Sequence, residues 1–259
     1  MASLGVSQDR IYSVGTCRLC QSERELRRSH VIPEFLYDAS YDEKHRLLLV
    51  PGTADEKPSL EQKGLRERLF CQECETRLSD YERYARHVMF ETDAFPLTDE
   101  PKRIVVHGVD YRRFKLFQMS LLWRAGVSSL VMFNKVQLGP HEERIRLALL
   151  NDSPGDYFFY PCILLEAPAM PKLLERAITP PIPFRFEGHK AYRFSIGRLF
   201  LGFPVSSNTQ QVVVPAAVIS AAGDLPILKD IDGSFIPLIR EMFAQFVKLA
   251  EIHKLGDDT

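Results

Sequence analysis

Four of the five cysteines in this 259-residue chain occur in two CxxC motifs. A two-residue spacer lets both thiolates of a motif face one metal ion at about 2.3 Å. Paired CxxC motifs, in a chain that shows no secretory signal at its start, are typical of a tetrahedral zinc site rather than of disulfides. The sequence therefore predicts a structural zinc ion bound by Cys17, Cys20, Cys71 and Cys74. Buried thiols or redox chemistry are the alternative, and Cys162 is expected to be a small buried hydrophobe.

A histidine with a hydrophobic–hydrophobic–proline tail lies between the two motifs, in the segment Ser29–Pro33 (SHVIP). The second motif follows Leu69 and Phe70, and Glu75 comes directly after it. Over about residues 15–90, this order resembles the HNH (His-Me finger) endonuclease family in its treble-clef zinc variant. The resemblance implies a ββα-metal fold and the hydrolysis of phosphodiester bonds.

The resemblance also implies residue roles. His30 falls on the general base that activates the attacking water, and an ordinary histidine pKa near 6.5 suits proton abstraction. Glu75 takes the place of a metal-binding histidine, and its carboxylate suits Mg²⁺ or Mn²⁺. Ser29 stands where the family has a metal-binding Asp or His, and Arg66 or Glu67 stands where it has an asparagine. These departures support a second hypothesis, a non-catalytic treble-clef module that binds nucleic acid or a protein.

Arginines flank this segment on both sides. The arginines that precede His30 and the second CxxC motif are candidate contacts for the phosphates of a bound strand. They are Arg24, Arg27, Arg28, Arg66 and Arg68. Interleaved glutamates make an ordinary solvated surface the alternative. His30 could likewise satisfy a backbone carbonyl only, and Glu75 could interact only with the dipole of the helix that it begins.

Two further charged residues are expected to have structural roles. Arg124 is the only charge between Leu116 and Phe133, so its stem must be buried and its head paired with a carboxylate or with carbonyl groups. Glu82 lies four residues before Arg86 on a predicted helix, where a surface ion pair is expected.

Residues 1–92 are predicted to form the zinc module. The predicted elements are a strand at 25–33, a polar loop at 38–64 with a short strand at 46–50, and a helix at 76–90. Two prolines and several polar residues at 92–103 indicate a linker. The fold class is therefore α+β, with an N-terminal treble-clef or ββα-metal module ahead of a larger domain.

Residues 93–259 are predicted to form this larger α+β domain, whose topology the sequence leaves unassigned. The predicted elements are strands at 103–107, 157–166, 184–186, 192–203 and 211–214, and helices at 113–133, 141–150 and 237–253. We expect this domain to select the substrate or to bind a protein partner or a second copy of the chain.

The charge balance constrains how the chain could attract nucleic acid. Its 33 Lys and Arg against 34 Asp and Glu give a formal charge of −1, so a local arginine cluster, a metal ion or a partner must attract DNA, the expected substrate. No stretch approaches the ~20 apolar residues of a membrane span, and we expect a cytoplasmic protein without membrane contact. Family resemblance suggests a bacterial or phage conflict system as its setting.

Overall fold

The structure, a computed structural model, describes residues 14–50, 57–62, 64–91, 103–166, 176–207, 209 and 213–229. Helices and mixed β-sheet occur together in these residues, which confirms the α+β class. Within this described part, no helix is both long enough and apolar enough to cross a membrane.

The strands, in chain order, are β1 (Val14–Thr16), β2 (Glu23–His30), β3 (Leu47–Leu49), β4 (Ser59–Glu61), β5 (Arg66–Cys71), β6 (Arg103–Val106), β7 (Ile163–Glu166), β8 (Ala177–Phe186), β9 (His189–Ile196), β10 (Leu199–Pro204) and β11 (Leu225–Lys229). The α-helices are α1 (Gln72–Arg86), α2 (Tyr111–Val127) and α3 (Pro140–Leu150).

A small antiparallel sheet forms from β1, β2 and β5, with β2 in the centre. The pairing of β2 with β5 shifts by a β-bulge between Arg27 and Arg28, which is a device that re-aims neighbouring side chains. Helix α1 begins directly after β5 and packs against both strands. Helix α1 therefore covers two antiparallel strands, β2 and β5, that are 36 residues apart in sequence at the His30–Arg66 pair.

Helix α1 has the features of a helix that packs by one face. Leu78, Tyr81 and Ala85 form its buried stripe. Glu73 and Glu75 lie in its first turn, where the dipole stabilises negative charge. It begins four residues before the predicted helix and continues into a π-helical turn over His87–Glu91.

A large mixed sheet runs in the order β4-β3-β8-β9-β10-β7-β11-β6 among the described residues. Its pairs are antiparallel except β3 with β8 and β7 with β11, which are parallel. One face packs on the helices, and the other face buries a separate cluster that includes Leu165, Phe200 and Val218. The sheet is therefore covered on both faces.

Helix α2 is the centre of the core. Every side chain from Phe114 to Ala125 is buried, as expected for a helix that has neighbours on all sides. Helix α1 packs against it, and so does α3. The helix is shorter than the predicted 113–133, because the Ser128 and Ser129 side chains bond to Glu67 instead of continuing it. A separate 3₁₀ turn follows at Val131–Phe133.

Several predicted strands differ from those observed. The predicted strand at 192–203 is two strands, because the chain turns at Gly197, whose φ is 56°. The predicted strand at 157–166 is limited to β7. The predicted linker at 92–103, apart from its last residue, and the predicted helix at 237–253 lie outside the described residues, as does half of the predicted strand at 211–214.

The predicted division between residues 92 and 93 stays a prediction. Strand β3, from the first part, pairs with β8 from the second. Helix α1, also from the first part, packs against α2, and one buried hydrophobic cluster includes residues of both parts. The two parts therefore share a core as well as a sheet.

Candidate metal centre and the adjacent polar site

The four cysteines of the CxxC motifs meet between the β1–β2 turn and the start of α1. Their sulfur atoms all lie within 4.8 Å of one another, and the Cys20 and Cys71 sulfurs are 3.9 Å apart. Four sulfurs placed tetrahedrally at about 2.3 Å from a zinc ion are separated by about 3.8 Å. The spacing therefore fits one ion. Among the described residues, no other group of three or more His, Cys, Asp and Glu side chains is arranged in this way.

Backbone hydrogen bonds hold the two motifs together. The turn of the first motif is closed by the bond from the Cys17 N–H to the Ser22 carbonyl, at 3.0 Å. The Arg18 N–H donates to the Leu69 carbonyl of β5 at 2.9 Å, which joins the first motif to the strand that leads into the second. The Cys71 N–H points at the Cys17 sulfur, 3.3 Å away. The fold brings the cysteines together without needing a disulfide.

The close packing of the thiols separates their pKa values. The hydrogen bond with Cys74 lowers the pKa of Cys17 to about 4, while the same bond and burial raise the pKa of Cys74. Burial also raises the pKa of Cys71. Four sulfur donors, one of them a thiolate stabilised by neighbouring thiols, suit a divalent metal such as zinc. Binding of the metal would displace the protons of the other three thiols.

The end of β2 is bonded directly to α1. Ser29 is fully buried, and its hydroxyl donates to a Glu75 carboxylate oxygen at 2.5 Å. Burial raises the pKa of Glu75, opposed by the Ser29 hydrogen bond and by the positive charge of Arg124. The Ser29 hydrogen bond and the Arg124 charge thus offset only part of the cost of burying the Glu75 carboxylate. A cation close to Glu75 would stabilise its charged form.

His30, the last residue of β2, is held in one tautomer by its neighbour on β5. The Arg66 Nε donates to the His30 Nε2 at 2.7 Å, so Nε2 is unprotonated and the ring carries its proton on Nδ1. Burial and the Arg66 charge lower the pKa of His30, although Glu34, whose carboxylate lies 3.7 Å away, opposes them. The net lowering of its pKa favours the neutral form of the imidazole.

Arg124 of α2 bonds to both β2 and α1. Its side chain is 1% exposed; Nη1 donates to the His30 carbonyl at 3.0 Å, and Nη2 pairs with Glu82. The expectation that Arg124 pairs with a carboxylate or carbonyls is confirmed, and the expected Glu82–Arg86 pair is wrong. The buried guanidinium of the packed helix attracts Glu82, while Arg86 lies 3.4 Å from Glu91.

Ser29 and His30 are consecutive residues of β2, so their side chains leave opposite faces of the strand. Ser29 contacts Glu75, and the His30 ring contacts Arg66. The charges of Glu82 and Arg124 act on the pKa values of both His30 and Glu75. The structure therefore brings Glu75 to Ser29 rather than to the His30 ring, and the predicted catalytic base and metal ligand share only the influence of the Arg124–Glu82 pair. The chain matches no protein-family model, no curated protein and no solved structure.

The strand register sorts the candidate phosphate contacts. His30 pairs with Arg66 and Arg28 pairs with Arg68, and side chains alternate along a strand. Arg28 and Arg66 therefore lie on the face of His30, whereas Arg27 lies on the opposite face and its guanidinium is 3.8 Å from Glu25.

Glu34 is a residue of this site to which the sequence patterns assigned no role. The only feature that could have indicated a contact is that Glu34 follows His30 by four residues. Its carboxylate lies 3.7 Å from both the His30 ring and the Arg66 guanidinium. The 3₁₀ turn that follows Pro33 places Glu34 beside the histidine and the arginine. Hydrophobic periodicity in the sequence does not predict such a turn.

Proposed function

We propose that this chain is a metal-dependent, HNH-like endonuclease that hydrolyses phosphodiester bonds, with DNA as its substrate. One observation carries the proposal. His30 ends β2 next to Ser29, whose buried hydroxyl bonds to Glu75 of α1, and the four cysteine sulfurs cluster between the β1–β2 turn and the start of that helix. We also propose that residues 93–259 select the substrate or bind a partner, and that the protein acts in the cytoplasm.

The four cysteines are assigned a structural zinc ion. All four ligand positions come from the protein, which is typical of a structural rather than a catalytic zinc site. The ion would fix the turn of the first motif against the first turn of α1. This scaffold positions His30 and Glu75 without taking part in hydrolysis.

His30 is the proposed general base. Its unprotonated Nε2 is competent to accept a proton from water, but Arg66 occupies that lone pair at 2.7 Å. A substrate phosphate offers Arg66 a stronger, charged acceptor. We therefore infer that Arg66 turns from His30 to the phosphate as substrate binds, which frees Nε2 for the attacking water.

Glu75 is the proposed ligand of a catalytic divalent ion, Mg²⁺ or Mn²⁺. Such an ion would need only one or two protein carboxylates, because water and substrate phosphates would supply its other oxygen ligands. When bound, it stabilises charge on the scissile phosphate and on the leaving oxygen. The chain's own contribution is to orient the carboxylate: Ser29 donates to one Glu75 oxygen, while Glu82 is paired with Arg124.

A non-catalytic treble-clef module that binds nucleic acid or a protein is the second candidate. The observation that favours it is the same Arg66–His30 hydrogen bond, because a histidine whose acceptor is already satisfied has a structural role without further assumption. Ser29 also bonds to Glu75 rather than standing free as a ligand.

Cleavage of supercoiled plasmid separates these two functions. Purified protein is incubated with plasmid in Mg²⁺, in Mn²⁺ or in EDTA, and nicked and linear forms are measured on gels. We expect metal-dependent nicking that falls at least 100-fold in His30→Ala, since general-base catalysis contributes about 10²–10⁴-fold. Glu75→Gln is expected to lose activity as well.

Matched controls keep the result specific. His107→Ala removes an exposed histidine that is paired with Asp224, and Glu73→Gln changes an exposed glutamate in the same first turn of α1. Both variants should nick at the wild-type rate. Zinc content and circular dichroism must be unchanged in all four variants. Salt-sensitive DNA binding without nicking supports the module instead, and neither binding nor nicking rejects both DNA functions.

A further inference from the structure

Two exposed arginines lie opposite each other on the sheet face that carries His30. Arg28 of β2 lies directly opposite Arg68 of β5. The next cross-strand pair is Ser29 with Glu67, and the one after it, here called the His30–Arg66 rung, joins His30 to Arg66. The opposite face is identified by its contacts, because Ser29 reaches Glu75 and Glu67 reaches the end of α2. Three arginines and the proposed base therefore share one face.

The Arg28–Arg68 rung is unfavourable for folding. Directly opposed residues on neighbouring strands have Cβ atoms about 4.5–5.5 Å apart, and like charges at that separation repel. Arg68 donates one hydrogen bond to the Leu26 carbonyl at 3.0 Å, but within the described ranges neither Arg28 nor Arg68 has an ion-pair partner closer than 4 Å. Arg66 and Arg27, by contrast, each have a glutamate nearby.

The spacing of the two rungs matches a polymer of phosphates. Residues two apart on a strand are separated by about 6.7 Å along it, which is comparable with the separation of consecutive phosphates in a nucleic acid strand. A phosphate held by Arg66 beside His30 would place the next phosphate of the same strand over Arg28 and Arg68. Two guanidinium groups facing each other are well suited to an anion that each can bond.

We propose that Arg28 and Arg68 form a subsite for the phosphate adjacent to the one that is cleaved, so that the substrate is a polynucleotide strand rather than an isolated phosphodiester. The effect of this subsite on cleavage rests on the proposed nuclease function. It supplies locally the positive charge that the whole chain, at a net −1, lacks.

Two probes that differ in their number of phosphates test the subsite. Bis(4-nitrophenyl) phosphate has one phosphodiester and reaches the His30 rung only, whereas a 20-nucleotide DNA duplex also supplies the neighbouring phosphates. We expect Arg28→Gln and Arg68→Gln to lower the ratio of duplex cleavage to bis(4-nitrophenyl) phosphate hydrolysis about tenfold or more, the effect of losing one charged hydrogen bond. Arg185→Gln, an exposed arginine in the β8–β9 hairpin, should leave the ratio at the wild-type value. An unchanged ratio in both test variants overturns the subsite.

Binding decides the subsite separately from catalysis. In His30→Ala protein, duplex affinity is measured by fluorescence anisotropy from 50 to 200 mM salt. Removing Arg28 or Arg68 should reduce the slope of log K against log salt by about 0.9 per contact, and an unchanged slope overturns the proposal. If wild type hydrolyses neither probe, the nuclease function fails while the salt slope still tests the subsite. Because the two arginines repel, Arg28→Gln should fold at least as stably as wild type, and thermal melting checks this.

Discussion

Two buried cations on α2, Lys115 and Arg124, are stabilised in different ways. Arg124 has a carboxylate partner in Glu82 and a carbonyl partner in His30, so its charge is compensated where it ties β2 to α1. Lys115 is fully buried, and among the described residues its ammonium donates to the carbonyls of Tyr157 and Tyr160, at 3.3 and 3.0 Å, and to no carboxylate. A buried charge without a counter-ion shifts its pKa toward the neutral form. The arginine is therefore a permanent charge, and the lysine is a titrating one.

The stability of the chain is expected to depend on pH through Lys115. Burial lowers the pKa of Lys115 from 10.5 to about 7, despite raising effects from Cys162 and Asp156. Between pH 7 and 10.5 the unfolded chain therefore holds a proton that the folded chain lacks, and the free energy of unfolding rises with pH by about 1.4 kcal/mol per unit. Lys115→Met should lose this increment.

Urea unfolding at pH 7.5 and 8.5 measures the effect. The free energy of unfolding of wild type relative to Lys115→Met should increase by about 1 kcal/mol between the two pH values. Lys44→Met, which changes an exposed lysine, should keep the wild-type slope. Equal slopes for wild type and Lys115→Met would show that Lys115 does not titrate in this range.

At the scale of elements, sequence patterns predicted the features that depend on neighbouring residues in the chain. The CxxC spacing predicted which cysteines meet, and the apolar stripe predicted most of α1. The end of α2 was missed because Glu67, which lies 61 and 62 residues earlier in the chain, binds Ser128 and Ser129. The Arg66–His30 hydrogen bond was missed for a related reason: it depends on the register of β2 with β5, which a bulge shifts. Long-range pairing was therefore the information that the sequence did not supply.

Removal of metal is expected to unfold the first CxxC turn and the start of α1. A structural zinc ion contributes about 10–16 kcal/mol of apparent binding energy in small modules, as much as the whole stability of a typical domain. Wild type should contain one zinc per chain by elemental analysis, and prolonged EDTA should lower the melting temperature and the helical circular dichroism. Cys74→Ala should purify without zinc, whereas Cys162→Ala, which changes the cysteine outside the cluster, should retain it. Metal-free wild type with four reactive thiols and an unchanged melting temperature contradicts the zinc assignment.

At the scale of the whole molecule, the proposed site is built across both predicted parts of the chain. His30 and Glu75 come from the first part, while Arg124, which bonds to the His30 carbonyl, comes from the second. Arg146 of α3 also donates to the Leu19 carbonyl inside the first CxxC motif, at 2.6 Å. Residues of the second part thus contact both the cysteine cluster and the end of β2.

This shared construction predicts that the full chain unfolds as one cooperative unit. Trp123, the single tryptophan, is fully buried on α2 and stacks on Phe70 of β5, with ring centroids 5.7 Å apart. Its fluorescence therefore reports the junction of the two parts, while far-ultraviolet circular dichroism reports all helices and strands. In urea, both signals should follow a single transition with the same midpoint, the signature of two-state unfolding. EDTA should shift both midpoints to lower urea together, because loss of the metal weakens the strand on which Trp123 packs. Two separated midpoints, with only the circular dichroism transition moved by EDTA, would instead show that residues 1–92 and 93–259 fold independently.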